Sequence, residues 1–403
     1  MMTETNTVQK EGKERVRIID AIRGFSLLGI LMANMLIFQY GLYGKDKLES
    51  FNPSAWDIGF HKLLQIMIEG SFMPIFMFLF GYGLYKMKDS LVSKGLKYKR
   101  YLSRRFLMLL LLGVLHGLLL WEGDILAAYG LMGFCLLLFI RRKPRTMLIW
   151  GIVLSVLFAG LGYGSQKEDD KAEIRMKHYI EESIDVMGSG TYMEIQEFRM
   201  NADPLDLSGA PVILLILFAP VFLAPMFLFG MAAASKQWFH NPRKERSRYS
   251  RLTLLFLPAG LTMKTAAVLW SASPWSGVLM IGGGQLLALG YIFLLAFVLP
   301  GLSRRSFTIA AFESVGRMSL TNYLMQTVIC TTIFYGYGLG LYGRIGVVTG
   351  ILLSLLIYAV QAVISAWVWR KYQFGPVERL LRMWTYFSLS GKARPASSES
   401  MTS

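Results

Sequence analysis

The sequence predicts an all-α fold: a polytopic membrane helix bundle of about ten transmembrane helices with one helical extracytoplasmic loop insertion. Three observations lead there. Of 403 residues, 54% are hydrophobic and only 17% charged, against about 25% charged in soluble domains. Apolar runs recur along the chain, each near the roughly 20 residues that cross a bilayer. The basic residues, 42 Lys and Arg against 26 Asp and Glu, fall in alternate connecting segments. This composition excludes an ordinary soluble enzyme, and it excludes disorder, which needs low hydrophobicity. A net charge of +16 on a hydrophilic chain would point to nucleic acid. Here the basic residues share the chain with long apolar runs, so they read as a record of membrane topology, and no nucleic-acid partner is expected.

Residues 1–17 are polar and read as a cytosolic N-terminal tail. The first apolar run, 18–40, contains Asp20 and Arg23 and is followed by no small-residue cleavage site, so it is a retained span and not a cleaved signal. Further spans fall at 63–85, 105–121, 124–140, 146–163, 211–233, 252–271, 277–299, 318–337 and 346–369. The spans 277–299 and 318–337 are the weakest, because Gly282, Gly283 and Gly284 in one and Gly336 and Gly338 in the other are able to break a helix. The stretch FGPVERLLRMWTYF, 374–387, mixes Leu, Met, Trp and Tyr with Arg and suits a helix lying on the cytosolic interface. Residues 388–403 read as a disordered tail, leaving 18–387 as a single integral membrane domain.

Short segments rich in Lys and Arg stay in the cytoplasm. The N-terminal tail, the segments 86–105, 141–145, 236–251 and 304–317, and the C-terminal tail hold 31 of the 42 basic residues. The alternation is unbroken and predicts both termini inside. The segment 164–210 then lies outside; its charge is balanced and it is expected to be helical. It is too short for an independent catalytic domain and fits a cap over the membrane core.

A charged group at mid-bilayer costs a few kcal/mol, so each one is a functional candidate. In the first span Asp20 and Arg23 share a helix face. Asn34, eleven residues after Arg23, returns to that face after about three turns. An ion pair that fixes helix packing is the plain alternative. In RRFLMLLLLGVLHGLLLWEGD, Arg105 and His116 are again eleven residues apart, on one face and about 16 Å apart along the axis. Glu122 and Asp124 follow at the outer hairpin. A His beside a carboxylate suits a general base, and an Arg at the cytosolic mouth suits phosphate. A histidine hydrogen-bonded to a neighbouring helix is the plainer reading. Ser319, Asn322, Tyr323 and Gln326 form one helical stripe that fits either a polar ligand or interhelical hydrogen bonds. Lys264 and Glu69 sit alone in their spans and each needs a partner in the bundle. Cys135 and Cys330 read as small apolar residues. His61, His178 and His240 show no metal-ligand spacing, and no metal is expected.

The segments DAIRGFSLLGILMAN, FMFLFGYGL, RRFLMLLLLGVLHGLLLWEGDIL, GRMSLTNYLMQT and FGPVERLLRMWTYF occur in this order. Together they resemble the YeiB-like bacterial membrane proteins, the domain of unknown function numbered 418, over nearly the whole chain. That resemblance implies the bacterial inner membrane. The D-x-x-R-G start and the Arg-x10-His spacing are more distantly similar to the transmembrane acyltransferases of the acyltransferase-3 and heparan-glucosaminide N-acetyltransferase type. This second resemblance implies acyl transfer from cytosolic acyl-CoA to an envelope sugar, lipid or small-molecule acceptor. Arg105 would engage the donor phosphates, His116 would be the reaction centre, and Asp124 or Glu122 would orient it. Acyltransferase-3 proteins place a catalytic His at the end of the first span, where this chain has Asn34, so either His116 carries the chemistry alone or this branch has lost it.

Two other function classes remain open. A proton-coupled transporter or exporter would also use intramembrane Asp20, Arg23, Glu69, Lys264 and His116, and the Gly282–Gly284 run fits a broken helix; no inverted repeat supports it. A non-catalytic membrane sensor or assembly protein would explain the missing first-span His. The expected partners are membrane lipids and a small-molecule or glycan acceptor, with a homo-oligomer left open.

Overall fold

A computed structural model describes residues 2–164, 170–205, 210–302 and 306–391, with side chains for 17–164, 171–205, 221–302 and 306–391. Most of the predicted tails, 1–17 and 388–403, lies outside the described side chains. All regular structure among the described residues is helical. In chain order the helices are α1 (Met2–Gly44), α2 (Ala55–Met67), α3 (Phe72–Val92), α4 (Tyr98–Leu119), α5 (Leu126–Leu136), α6 (Pro144–Gly160), α7 (Asp170–Ser189), α8 (Tyr192–Asn201), α9 (Ala210–Ser235), α10 (Arg246–Leu269), α11 (Ser276–Val298), α12 (Phe307–Arg317), α13 (Ser319–Phe334), α14 (Val347–Tyr372) and α15 (Pro376–Tyr386).

Among the described residues, six segments are long and apolar enough to cross a membrane: Arg17–Gly44, Ala55–Val92, Tyr98–Leu119, Arg246–Leu269, Ser276–Gly301 and Val347–Tyr372. Shorter apolar helices cover Leu126–Leu136, Pro144–Gly160 and Val221–Ser235. The ten expected spans coincide with α1, α3, α4, α5, α6, α9, α10, α11, α13 and α14, so the chain folds as a helical membrane bundle. A contiguous apolar core links α1, α3, α4, α5, α9, α11 and α13 through residues such as Ile22, Phe78, Phe106, Leu136, Phe227, Ile292 and Cys330. α1 runs through it, packed against α3, α12, α13 and α14. Gly24 and Gly316 let α1 and α12 touch backbone to backbone, since a Cβ on either would strike the other helix's main chain at Phe312 or Asp20.

Three of the expected spans are sharpened by the structure. The 124–140 span is α-helical only over Leu126–Leu136. It continues as tighter turns in which Leu137, Leu138 and Phe139 donate to carbonyls three residues back. The 277–299 span is unbroken despite its glycines. A Cβ on Gly283 would meet Lys264 and Met263, and one on Gly284 would meet the Gly70 carbonyl. These glycines therefore permit close packing and do not break the helix. The 318–337 span does end early, at Phe334, where Gly338 N–H folds back on the Tyr335 carbonyl at 2.9 Å.

Among the described residues, four α-helices are additional to the expected spans and interfacial helix. α2 opens on a capping box between Ser54 and Asp57. α12 sits beside α1 and carries Glu313 and Arg317. α7 and α8 build the 164–210 insertion, with α8 opened by a second capping box between Thr191 and Glu194. The lone Lys264 finds its partners in the α2–α3 turn: its Nζ donates to the Glu69 carbonyl and to Ser71 Oγ, the latter at 3.1 Å.

Candidate active site

Gly113 and Gly130 set the local geometry of the site. A Cβ on Gly113 would collide with Ala127 N and one on Gly130 with Leu110 N, so only glycine lets α4 and α5 lie this close. The tight hairpin between them, Leu120–Ile125, returns Asp124 to the last turn of α4. Asp124 then serves His116 and the start of α5, with the Tyr323 side chain a third partner. Its Oδ2 accepts from Ala127 N–H at 3.0 Å and caps α5. Its Oδ1 lies 2.8 Å from His116 Nδ1. Both side chains are almost wholly enclosed, at 2% and 4% exposure. With the proton on Nδ1 shared with the carboxylate, Nε2 keeps its lone pair, and Nε2 is buried with no hydrogen-bond partner. Trp121 Nε1 and Tyr129 Oη are also buried and unpartnered. The Tyr323 ring lies against the imidazole at 5.6 Å between centroids, and its hydroxyl accepts from Ile125 N–H at 3.4 Å.

A cavity of about 510 Å³ leads from this region to the opposite end of the bundle. Its inner end is formed by Ile125, Leu126, Tyr129 and Tyr323, so Tyr323 separates it from His116. Its middle is apolar, walled by Leu27, Ile30, Phe76, Phe80, Phe106 and Leu109. Its mouth carries Arg23, Arg105, Arg317 and Arg382 against the carboxylates Asp20 and Glu378. Asp20 is committed to Arg23 and Arg317, each at 3.2 Å. Glu378 is committed to the start of α13, accepting from Leu320 N–H, Thr321 N–H and the Thr321 hydroxyl. The Arg317 guanidinium also lies over the Trp369 ring at 4.4 Å and pairs with Glu313, which in turn holds Arg17 at 2.7 Å. The acids are thus fully occupied, whereas Arg105 faces the mouth with no hydrogen bond or ion pair among the described residues. That is a pocket for an anion with an apolar extension.

The expected residues divide accordingly. Asp20, Arg23, Arg105 and Tyr323 line the cavity, and His116 and Asp124 form the pair behind its inner end. Glu122 does not orient His116: it is held by Arg199 of α8, with Nε 2.6 Å from Oε2, an ion pair and not an aligned hydrogen bond. Asn34 is half-buried and off the cavity; the α1 stripe Asp20, Arg23, Leu27, Ile30 reaches the cavity's limit one turn before it. Asn322 and Gln326 point into the α13–α14 interface. Asn322 Nδ2 donates to Ser365 Oγ at 2.9 Å, and Gln326 Nε2 donates to Gln361 Oε1 at 2.9 Å. Sequence reasoning missed Arg317, Arg382 and Tyr129. The helical spacing of Glu378, Arg382 and Tyr386 in the interfacial stretch was the available signal for Arg382.

A family model described as a protein of unknown function, DUF418, matches residues 233–388. The chain is 35% identical over 387 residues to the uncharacterized protein YxaH of Bacillus subtilis, covering 93% of this chain and 95% of that protein. The chain belongs to the DUF418 family. A second relative, the uncharacterized protein YeiB of Escherichia coli, is 30% identical over 401 residues, covering 92% of this chain and 96% of its own. An uncharacterized 39.9 kDa protein encoded in the amylase 3′ region of Bacillus acidopullulyticus is 26% identical over 375 residues, covering 93% and 94%. No solved structure matches.

Proposed function

We propose that this DUF418 protein is a membrane-embedded acyltransferase that takes an acyl group from acyl-CoA and delivers it to a hydroxyl or amine acceptor. The observation that carries the reading is the enclosed His116–Asp124 pair, with a free Nε2, behind a cavity whose far mouth is ringed by arginines. The donor's phosphates would sit against Arg105, with Arg23, Arg317 and Arg382 adding positive field. Its pantetheine arm and acyl chain would lie along the apolar middle. The span from Arg105 to His116, about 16 Å along the helix, separates the anionic head from the reacting carbonyl. A turn of the Tyr323 ring would join cavity and histidine.

In the reaction, His116 Nε2 takes the acceptor's proton as its oxygen or nitrogen attacks the thioester carbonyl. The C–S bond breaks, and the leaving thiolate takes the proton back from the imidazolium. Asp124 holds the ring in the required tautomer and stabilises the positive charge. In this reading the arginine end of the bundle faces the cytosol of a bacterial cell and the α7–α8 insertion faces outward.

The test is donor binding to protein purified in nanodiscs. Arg105→Ala is expected to weaken acyl-CoA binding about tenfold or more, the loss of a charge-assisted contact of about 1.5–3 kcal/mol. His116→Ala is expected to leave binding within a few-fold of wild type. Absence of acyl-CoA binding at high micromolar donor would sink the proposal.

A further inference from the structure

A second cavity, about 870 Å³, lies away from the first, between α6 on one side and α9, α10 and α11 on the other. On α6 its wall is Leu148, Ile152, Ser155, Val156, Ala159 and Gly160, continued by Tyr163 just past the helix end. The α6 part runs from Leu148 to Gly160, a rise of about 18 Å within a hydrocarbon core about 30 Å thick. The groove opens sideways, since Ile152 and Val156 on its lip are 56% and 67% exposed, on helix faces that meet hydrocarbon in a membrane. One end is aromatic, with Tyr163 and Trp275 in edge contact at 4.9 Å. The other end carries Lys236 and Trp238, with the Arg248 guanidinium 5.8 Å from the Trp238 ring. Lys236 is exposed, and it is the only charged side chain among the described lining residues.

We propose that this groove is a binding site for an anionic phospholipid drawn from the bilayer. The charge pattern requires an occupant with one anionic end, at Lys236, and an apolar remainder long enough to follow α6. The volume lies in the range of small-ligand sites. Two polar groups within the groove match the same occupant. The Gln285 side chain, 8% exposed, faces the groove, and Ser155 Oγ is buried with no partner. Both are hydrogen-bond donors that hydrocarbon alone leaves unsatisfied, and ester carbonyls are the acceptors that a phospholipid carries. This site is independent of the His116 cavity and stands whether or not acyl transfer does.

The test is native mass spectrometry of the detergent-purified full chain, titrated with phosphatidylglycerol or with phosphatidylcholine of the same acyl chains. Wild type should retain one phosphatidylglycerol about fivefold more tightly than phosphatidylcholine, which corresponds to about 1 kcal/mol for one lysine meeting an anionic lipid. Lys236→Glu should bring the two lipids to the same level. Ala159→Phe fills the groove from α6 and should weaken both; Gly282→Leu fills it from α11, as a second variant should the first fail to fold. Equal retention of the two lipids by wild type would overturn the proposal, as would a preference that survives Lys236→Glu.

Discussion

His116 and Asp124 are eight residues apart and would stay apart on a straight helix. They meet because two glycines and a tight hairpin fold α5 back along α4. Asp124 is fixed by its cap on α5, with the Tyr323 side chain beside its carboxylate. In the proposed reaction its role is one of positioning, and Asp124→Asn tests it. The amide can still cap α5 through its oxygen, so folding is expected to survive. Acyl transfer should fall by about 10²-fold or more, within the range of general base catalysis, while acyl-CoA binding stays near wild type. Equal losses in binding and transfer would mark Asp124 as purely structural. The spacing of Arg105 and His116 was legible in the sequence, because a helix period converts eleven residues into one face. The partner of Glu122 was not, because Arg199 lies 77 residues further along the chain, and that pairing depends on how α8 docks. Asn322 and Gln326 were visible as a stripe, but a stripe does not say whether it meets a cavity or another helix. The hydrogen bonds to Ser365 and Gln361 place both residues against α14.

At the scale of the element, α8 is the most consequential piece outside the core. Tyr192 Oη donates to the Leu119 carbonyl at 2.7 Å, Gln196 Nε2 to the Leu118 carbonyl at 2.8 Å and Arg199 Nη2 to the Gly117 carbonyl at 2.7 Å. These are carbonyls in the last turn of α4 that lack intrahelical donors, so one face of α8 closes the C-terminal end of the histidine helix. Arg199→Ala removes one of these bonds and the Glu122 pair, a loss of about 1–3 kcal/mol. Hydrogen exchange in α8 and the Leu120–Ile125 hairpin should rise while α1 and α12 stay protected. The start of α8 also has a pH response. The Thr191 N–H and hydroxyl hold the Glu194 carboxylate below its ordinary range. A carboxylate with a depressed folded-state pKa contributes stability above its unfolded value and loses it as pH falls through the folded value. Protease resistance of the insertion should therefore drop under acid, below the usual carboxylate range, and Glu194→Gln should flatten that response.

At the scale of the whole molecule, a helix stands at each of the ten expected spans, and among the described residues six segments are long and apolar enough to cross a membrane, because bilayer thickness imposes a length that the sequence displays directly. α2 and α12 escaped because they are short, amphipathic and packed on other helices, and no length signal marks them. The cavity escaped for a similar reason: its walls come from α1, α3, α4, α5, α12, α13, α14 and α15, and no local pattern records their meeting. Topology is tested by placing a single cysteine in α7, at Glu181, in a variant lacking Cys135 and Cys330. A membrane-impermeant maleimide should label it on intact cells. Protection until lysis would reverse the orientation, and with it the side from which the donor enters.

In the proposed reaction His116 moves a proton between an acceptor and a thioester whose anionic head is held at the arginine-rich mouth. The most direct measurement is thiol release from acyl-CoA by the purified protein in nanodiscs, with hydroxylamine as a surrogate acceptor, for wild type and His116→Ala at saturating donor. Wild type should release thiol, and His116→Ala should lose about 10²–10⁴-fold of that rate. Equal release by the two proteins, or none by a wild type that binds the donor, would contradict it.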